Sequence, residues 1–86
     1  MALYVLTYDL RKEGRDYKTL HDELARFKAE RILKSDWCFN YAYSRCAKEL
    51  REHFKQFIDS NDGLFVAEIT DWASYNTDSH PNNLQG

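Results

Sequence analysis

The sequence predicts an α+β domain in the order strand, helix, strand, strand, helix, strand, and three observations carry that prediction. Two stretches repeat apolar residues at steps of three and four, the spacing of an amphipathic helix. Four shorter stretches are instead rich in aliphatic and aromatic residues, as strands are. Polar turn clusters separate them, the strongest being DSNDG at 59–63.

Taken in order, Leu3 to Tyr8 is apolar or aromatic on both alternating faces apart from Thr7, which suits a strand covered on part of each side. Asp16 can cap the segment that follows. There Tyr17, Leu20, Leu24 and Phe27 form one stripe while Lys18, Asp22, Glu23 and Arg26 fall elsewhere, giving a helix over about 16–28. ERILK and DWCFNY flank Ser35 closely enough for a hairpin, although no Asn-Gly pair marks the turn. Ser44 precedes a second helical stripe of Ala47, Leu50, Phe54, Phe57 and Ile58, which the DSNDG cluster ends. LFVAEI, 64–69, reads as the fourth strand. From Thr77 the chain is polar and without period, so residues 1–76 are expected to form the domain and 77–86 a flexible C-terminal tail. The order of elements is that of a ferredoxin-like βαββαβ fold: a four-stranded antiparallel sheet of order 4-1-3-2 with two helices on one face.

At 86 residues the chain has room for one small core, since a domain of this size buries only about 60% of the surface its unfolded chain exposes. Aromatic residues nevertheless make up 15% of the chain, and Trp and Tyr are enriched at interfaces, so a homodimer is expected. Net charge is −2, but it is unevenly spread: all 12 Lys and Arg lie in residues 1–55 with nine acids, and five acids with no Lys or Arg lie in 56–86. Only the first part suits phosphate. Cys38 and Cys46 are too far apart for a Cys-x-x-Cys motif, and no apolar run reaches transmembrane length. A cytoplasmic protein with reduced thiols and no membrane partner is expected.

The predicted topology brings the C-terminal end of the first strand beside the beginnings of the third and fourth. That edge gathers Asp9, Ser35, Asp36 and Asp62, and it receives Arg11 and Lys12 from the next loop. Carboxylates converging there, Asp9 and Asp36 first, could hold Mg²⁺ or Mn²⁺, with the arginines on a phosphate. The same aspartates also suit a strand end and two turns, where Asp is common without any such role. His21, His53 and His80 have no metal-ligand spacing, and Cys38 reads as a buried strand cysteine. Trp37 and Trp72 could stack on bases or pack in a core or dimer. No glycine-rich phosphate loop is present.

The opening LYVLTYDL with its strand-terminal Tyr8-Asp9, the hairpin KSDWCF and the segment SNDGLFVAEIT resemble CRISPR-associated protein 2 and its short stand-alone, SinR-family relatives, over about residues 2–72. The resemblance implies a homodimer with Asp9, as catalytic and metal-binding residue, near the twofold axis, and either nuclease activity or a DNA-binding scaffold role. Arg31 and Ser35 match the family's hairpin motif, whereas its Gln is absent and Trp37 stands where an aliphatic residue is usual. The leading reading is a homodimer that binds nucleic acid or a nucleotide through Arg11, Lys12, Arg15, Arg31 and Lys34. The alternatives are a divalent-metal-dependent endonuclease or ribonuclease acting through Asp9, and a small protein-interaction or regulatory module.

Overall fold

The computed structural model describes residues 1–12, 14 and 16–81. Its elements are β1 (Ala2–Asp9), α1 (Lys18–Arg26), β2 (Glu30–Leu33), β3 (Asp36–Tyr41), α2 (Ala47–Lys55) and β4 (Gly63–Ile69). The four strands form one sheet in the order β2-β3-β1-β4, with every neighbouring pair antiparallel. This is the expected ferredoxin-like α+β arrangement.

Strand alternation explains where the core sits. Tyr4, Leu6 and Tyr8 point to one face of β1 and are buried there with Phe39 of β3, Leu20 and Leu24 of α1, and Leu50 and Phe54 of α2. Both helices therefore cover the same face. The Tyr4 hydroxyl, inside that layer, accepts the Cys46 N–H and donates to the Tyr43 carbonyl, both at 2.9 Å. It thereby supplies one of the partners that the first turn of α2 lacks. Burial pushes the Tyr4 phenol up from its ordinary range.

The helices are shorter than their apolar stripes. Asp16 precedes α1 and accepts the Lys18 N–H at 2.9 Å, and α1 stops at Arg26 because Lys28 turns left-handed at φ 56°. In α2 the stripe continues past Lys55 as a loose turn in which Phe57 and Ile58 donate to Phe54 and Lys55. Ser44 does not cap it, because left-handed Arg45 intervenes and Cys46 takes the N-cap position.

Glu23 departs from its predicted place on the polar face of α1. It is 5% exposed, and its carboxylate accepts from Arg26 one turn on and from His53 of α2. Its pKa is lowered, chiefly by the His53 hydrogen bond and against the opposing effect of burial. His53 also packs its ring against Phe27, Phe54 and Phe57, so this satisfied histidine ties the helices together.

On the helix-free face lie Leu3, Val5, Thr7 and their partners Asn40, Cys38 and Asp36, with Phe65, Ala67 and Ile69 of β4. Phe65 is 62% exposed, whereas Cys38 is fully buried. Burial first, and then the Glu30 carboxylate opposite it, push the Cys38 thiol up to about 11. Residues 78–80 of the expected tail make defined contacts. Asp78 N–H donates to the Ile32 carbonyl at 2.9 Å, Ser79 donates to the Glu30 carboxylate at 2.9 Å, and the rings of Trp72 and His80 stack at 6.3 Å. The chain after β4 is thus strapped back to β2, at the opposite edge of the sheet. Residues 82–86 lie outside the described residues.

Candidate nucleic-acid interface

The ladder places the predicted residues at one end of the sheet. Thr7 faces Asp36, Asp9 faces Gly63, and Tyr8 N–H donates to the Ser35 carbonyl at 3.1 Å. The loop after β1, the β2–β3 turn and the α2–β4 turn therefore meet around Asp9. Arg11 and Lys12 come from the first of these, and Arg31 and Lys34 flank the second. All four cations are exposed. Arg15 lies outside the described residues.

Asp9 is the exposed member of this group, its side chain 70% accessible, and its Oδ2 accepts from Arg11 Nε at 2.9 Å. Arg11 is held twice more: Nη1 donates to the Asn61 carbonyl at 3.1 Å, and its backbone N–H donates to Asp62 Oδ1 at 2.6 Å. Asp62 is the hub. Its carboxylate also accepts from the Tyr17 hydroxyl at 2.6 Å and from Asp59 N–H at 2.7 Å, and Lys12 N–H bonds to it as well. Burial alone would raise the Asp62 pKa. The hydrogen bonds from Tyr17, Arg11, Asp59 and Lys12 outweigh it, and the net shift is downward.

Successive N–H groups converging on one carboxylate make a nest, the geometry by which a backbone loop holds an anion. Here the anion is part of the protein. Asp62 fastens the basic loop after β1 to the start of β4, so the turn cluster DSNDG does more than stop α2. Tyr17 and Gly63 are the participants that sequence reasoning missed, the first because its hydroxyl was hidden in an apolar stripe and the second because a glycine after Asp reads as turn chemistry. Beside Asp62 opens a groove of about 560 Å³ lined by Arg51, Lys55, Ile58, Asp59, Ser60 and Leu64 among others.

At the hairpin, Arg31 donates to the Lys34 carbonyl and its guanidinium carbon lies 5.3 Å from the Trp37 ring centroid. The Trp37 indole donates to the Tyr8 hydroxyl at 3.1 Å and its ring stacks with His21 at 5.8 Å. Trp37 is thus committed to the protein on its polar edge and against its ring. It anchors the hairpin to α1.

Asp9 and Asp36 share the helix-free face as diagonal neighbours across β1 and β3. Asp9 is paired with Arg11, Asp62 is surrounded by donors, and no three His, Cys, Asp or Glu side chains converge as a metal cage among the described residues. No helix among those residues is long and apolar enough to cross a membrane.

No family model matches the chain. A crystal structure of a hypothetical protein, TT1823 from Thermus thermophilus, is similar in fold, with a TM-score of 0.64 and 23% identity over 86% of this chain and 88% of that one.

Proposed function

We propose that the chain binds nucleic acid, or a nucleotide, as a homodimer and does not cleave it. The observation supporting this most directly is that Arg11 and Lys12, beside the start of β4, and Arg31 and Lys34, at the β2–β3 turn, lie at the same end of the sheet. Cations so placed suit a phosphate backbone, whose neutralisation releases counterions and makes binding fall as salt rises. The chain's resemblance to CRISPR-associated protein 2 is in keeping with a scaffold role. Homodimer formation accounts for the helix-free face, where Leu3, Val5, Ala67 and Ile69 adjoin exposed Phe65. Free Cys38 and Cys46 suit a reducing compartment, and we place the protein in the cytoplasm.

A metal-dependent nuclease reading would need both the twofold copy of Asp9 and the departure of Arg11 from its carboxylate. Incubation with labelled single-stranded DNA and RNA, in Mg²⁺, Mn²⁺ or EDTA, tests the choice. Salt-sensitive retention of intact strands is expected in every buffer, and cleavage that EDTA stops would overturn the reading. Light scattering at micromolar concentration is expected to give a dimer mass, and a monomer mass would leave the helix-free face to a different protein.

A further inference from the structure

Arg11 lies in a seat shaped by the absence of a side chain. Gly63 stands opposite Asp9 in the β1–β4 ladder, and a Cβ there would meet Arg11 Nη2 at 3.1 Å and both Arg11 Cζ and Asp9 Cβ at 3.7 Å. Gly63 has no left-handed backbone to justify it; the described glycine with positive φ is Gly14. The guanidinium explains the glycine.

The hydrogen bonds show what the seat leaves free. A guanidinium carries five N–H donors in a fixed plane. Among the described residues Asp9 takes the Nε donor and the Asn61 carbonyl takes one from Nη1, leaving one Nη1 and two Nη2 donors, and the side chain is 57% exposed. Donors on two adjacent nitrogens match two oxygens of a phosphate. Asp62 fixes the backbone from which this side chain springs.

We propose that Arg11 is a pre-positioned phosphate-binding group, that Gly63, Asp9 and Asp62 are its positioning residues, and that recognition of a phosphodiester backbone at this end needs no divalent metal. The proposal rests on the nucleic-acid reading above and adds to it the arginine that carries it and the device that orients it. Pre-positioning matters because an ordered side chain gives up less rotamer freedom on binding. The ion pair with exposed Asp9 is weak enough for the remaining donors to engage a ligand without breaking the seat.

The test measures binding of fluorescein-labelled single-stranded DNA and RNA of one sequence, in EDTA, over a range of salt, for wild type, Arg11→Gln, Arg11→Lys and Gly63→Ala, with circular dichroism of each. Wild type is expected to bind equally in EDTA and Mg²⁺. Arg11→Gln is expected to bind about tenfold more weakly, with a salt slope shallower by about 0.7 for the lost contact. Gly63→Ala keeps every charge but crowds Arg11 Nη2 at 3.1 Å and shifts the guanidinium in its seat, and roughly threefold weaker binding is expected. Arg11→Lys keeps the charge and loses the fork, so it should fall between wild type and Arg11→Gln.

Wild-type affinity in both Gly63→Ala and Arg11→Lys would overturn the proposal, as would loss of wild-type binding in EDTA. Should Gly63→Ala fail to fold, Arg11→Lys at wild-type affinity overturns it alone. Failure of the wild type to bind any strand would instead remove the nucleic-acid reading and this proposal with it.

Discussion

Two arginine–carboxylate pairs of nearly equal length sit in opposite surroundings. Arg26 reaches Glu23 at 2.8 Å and Arg11 reaches Asp9 at 2.9 Å, yet the Glu23 side chain is 6% exposed and the Asp9 side chain 70%. Glu23 has a second partner, His53, from the other helix. Arg26 itself is exposed, but the Glu23 carboxylate is shielded from water, so its contact with His53 is a lock between α1 and α2. Around Asp9, water competes for every donor, and the pair is held by the shape of its seat. The first pair serves the fold and the second holds Arg11 in place at the surface.

The largest expected effect comes from breaking the lock. Glu23→Ala leaves His53 and Arg26 without their shared acceptor and should cost about 2–3 kcal/mol in urea unfolding, since hydrogen bonds to a charged group are lost in a buried place. An unchanged midpoint would show that the helices are joined by apolar packing alone.

Acid should act through the same carboxylate. The folded Glu23 pKa lies below its ordinary 4.5, so the unfolded chain binds the proton more readily. The stability it contributes is present above about pH 4.5 and is lost as pH falls through the lowered folded value. Asp62 acts in the same direction from its ordinary 3.8. Acid titration of thermal stability is therefore expected to fall less steeply in Glu23→Gln than in wild type, and identical slopes would discount the lock.

The smallest effect belongs to the exposed pair. Asp9→Asn should change stability by under about 1 kcal/mol, because both partners are already largely in water. It weakens an orienting acceptor and removes a negative charge, whose effects on a phosphate ligand oppose. Binding should stay within about threefold of wild type in the anisotropy assay. Metal-dependent cleavage present in wild type and abolished here would contradict binding without turnover.

The fold was legible because each strand and helix announces its period locally. β1 reads as a central strand from LYVLTY, and its neighbours follow from topology, which also puts Asp9, Ser35, Asp36 and Asp62 at one end of the sheet. Less visible were choices made by tertiary partners. Glu23 looks like any solvated helix residue until His53 arrives from 30 positions away. Gly63 reads as a turn, and only the side chain of Arg11 lying across it gives another reason for its small size. The tail carries no apolar period because its attachment uses a backbone hydrogen bond at Asp78 and a serine hydroxyl, neither of which leaves a mark in hydropathy.

That attachment sets an order of events during synthesis. β2 emerges from the ribosome well before residues 78 and 79, so its outer edge lacks these two hydrogen bonds until the final part of the described chain has been made. A bare strand edge invites pairing with another nascent chain. Glu30, Arg31 and Lys34 place charged, hydrated side chains along that edge, so for this interval pairing carries a desolvation cost, and the strap takes over only when translation has passed Ser79.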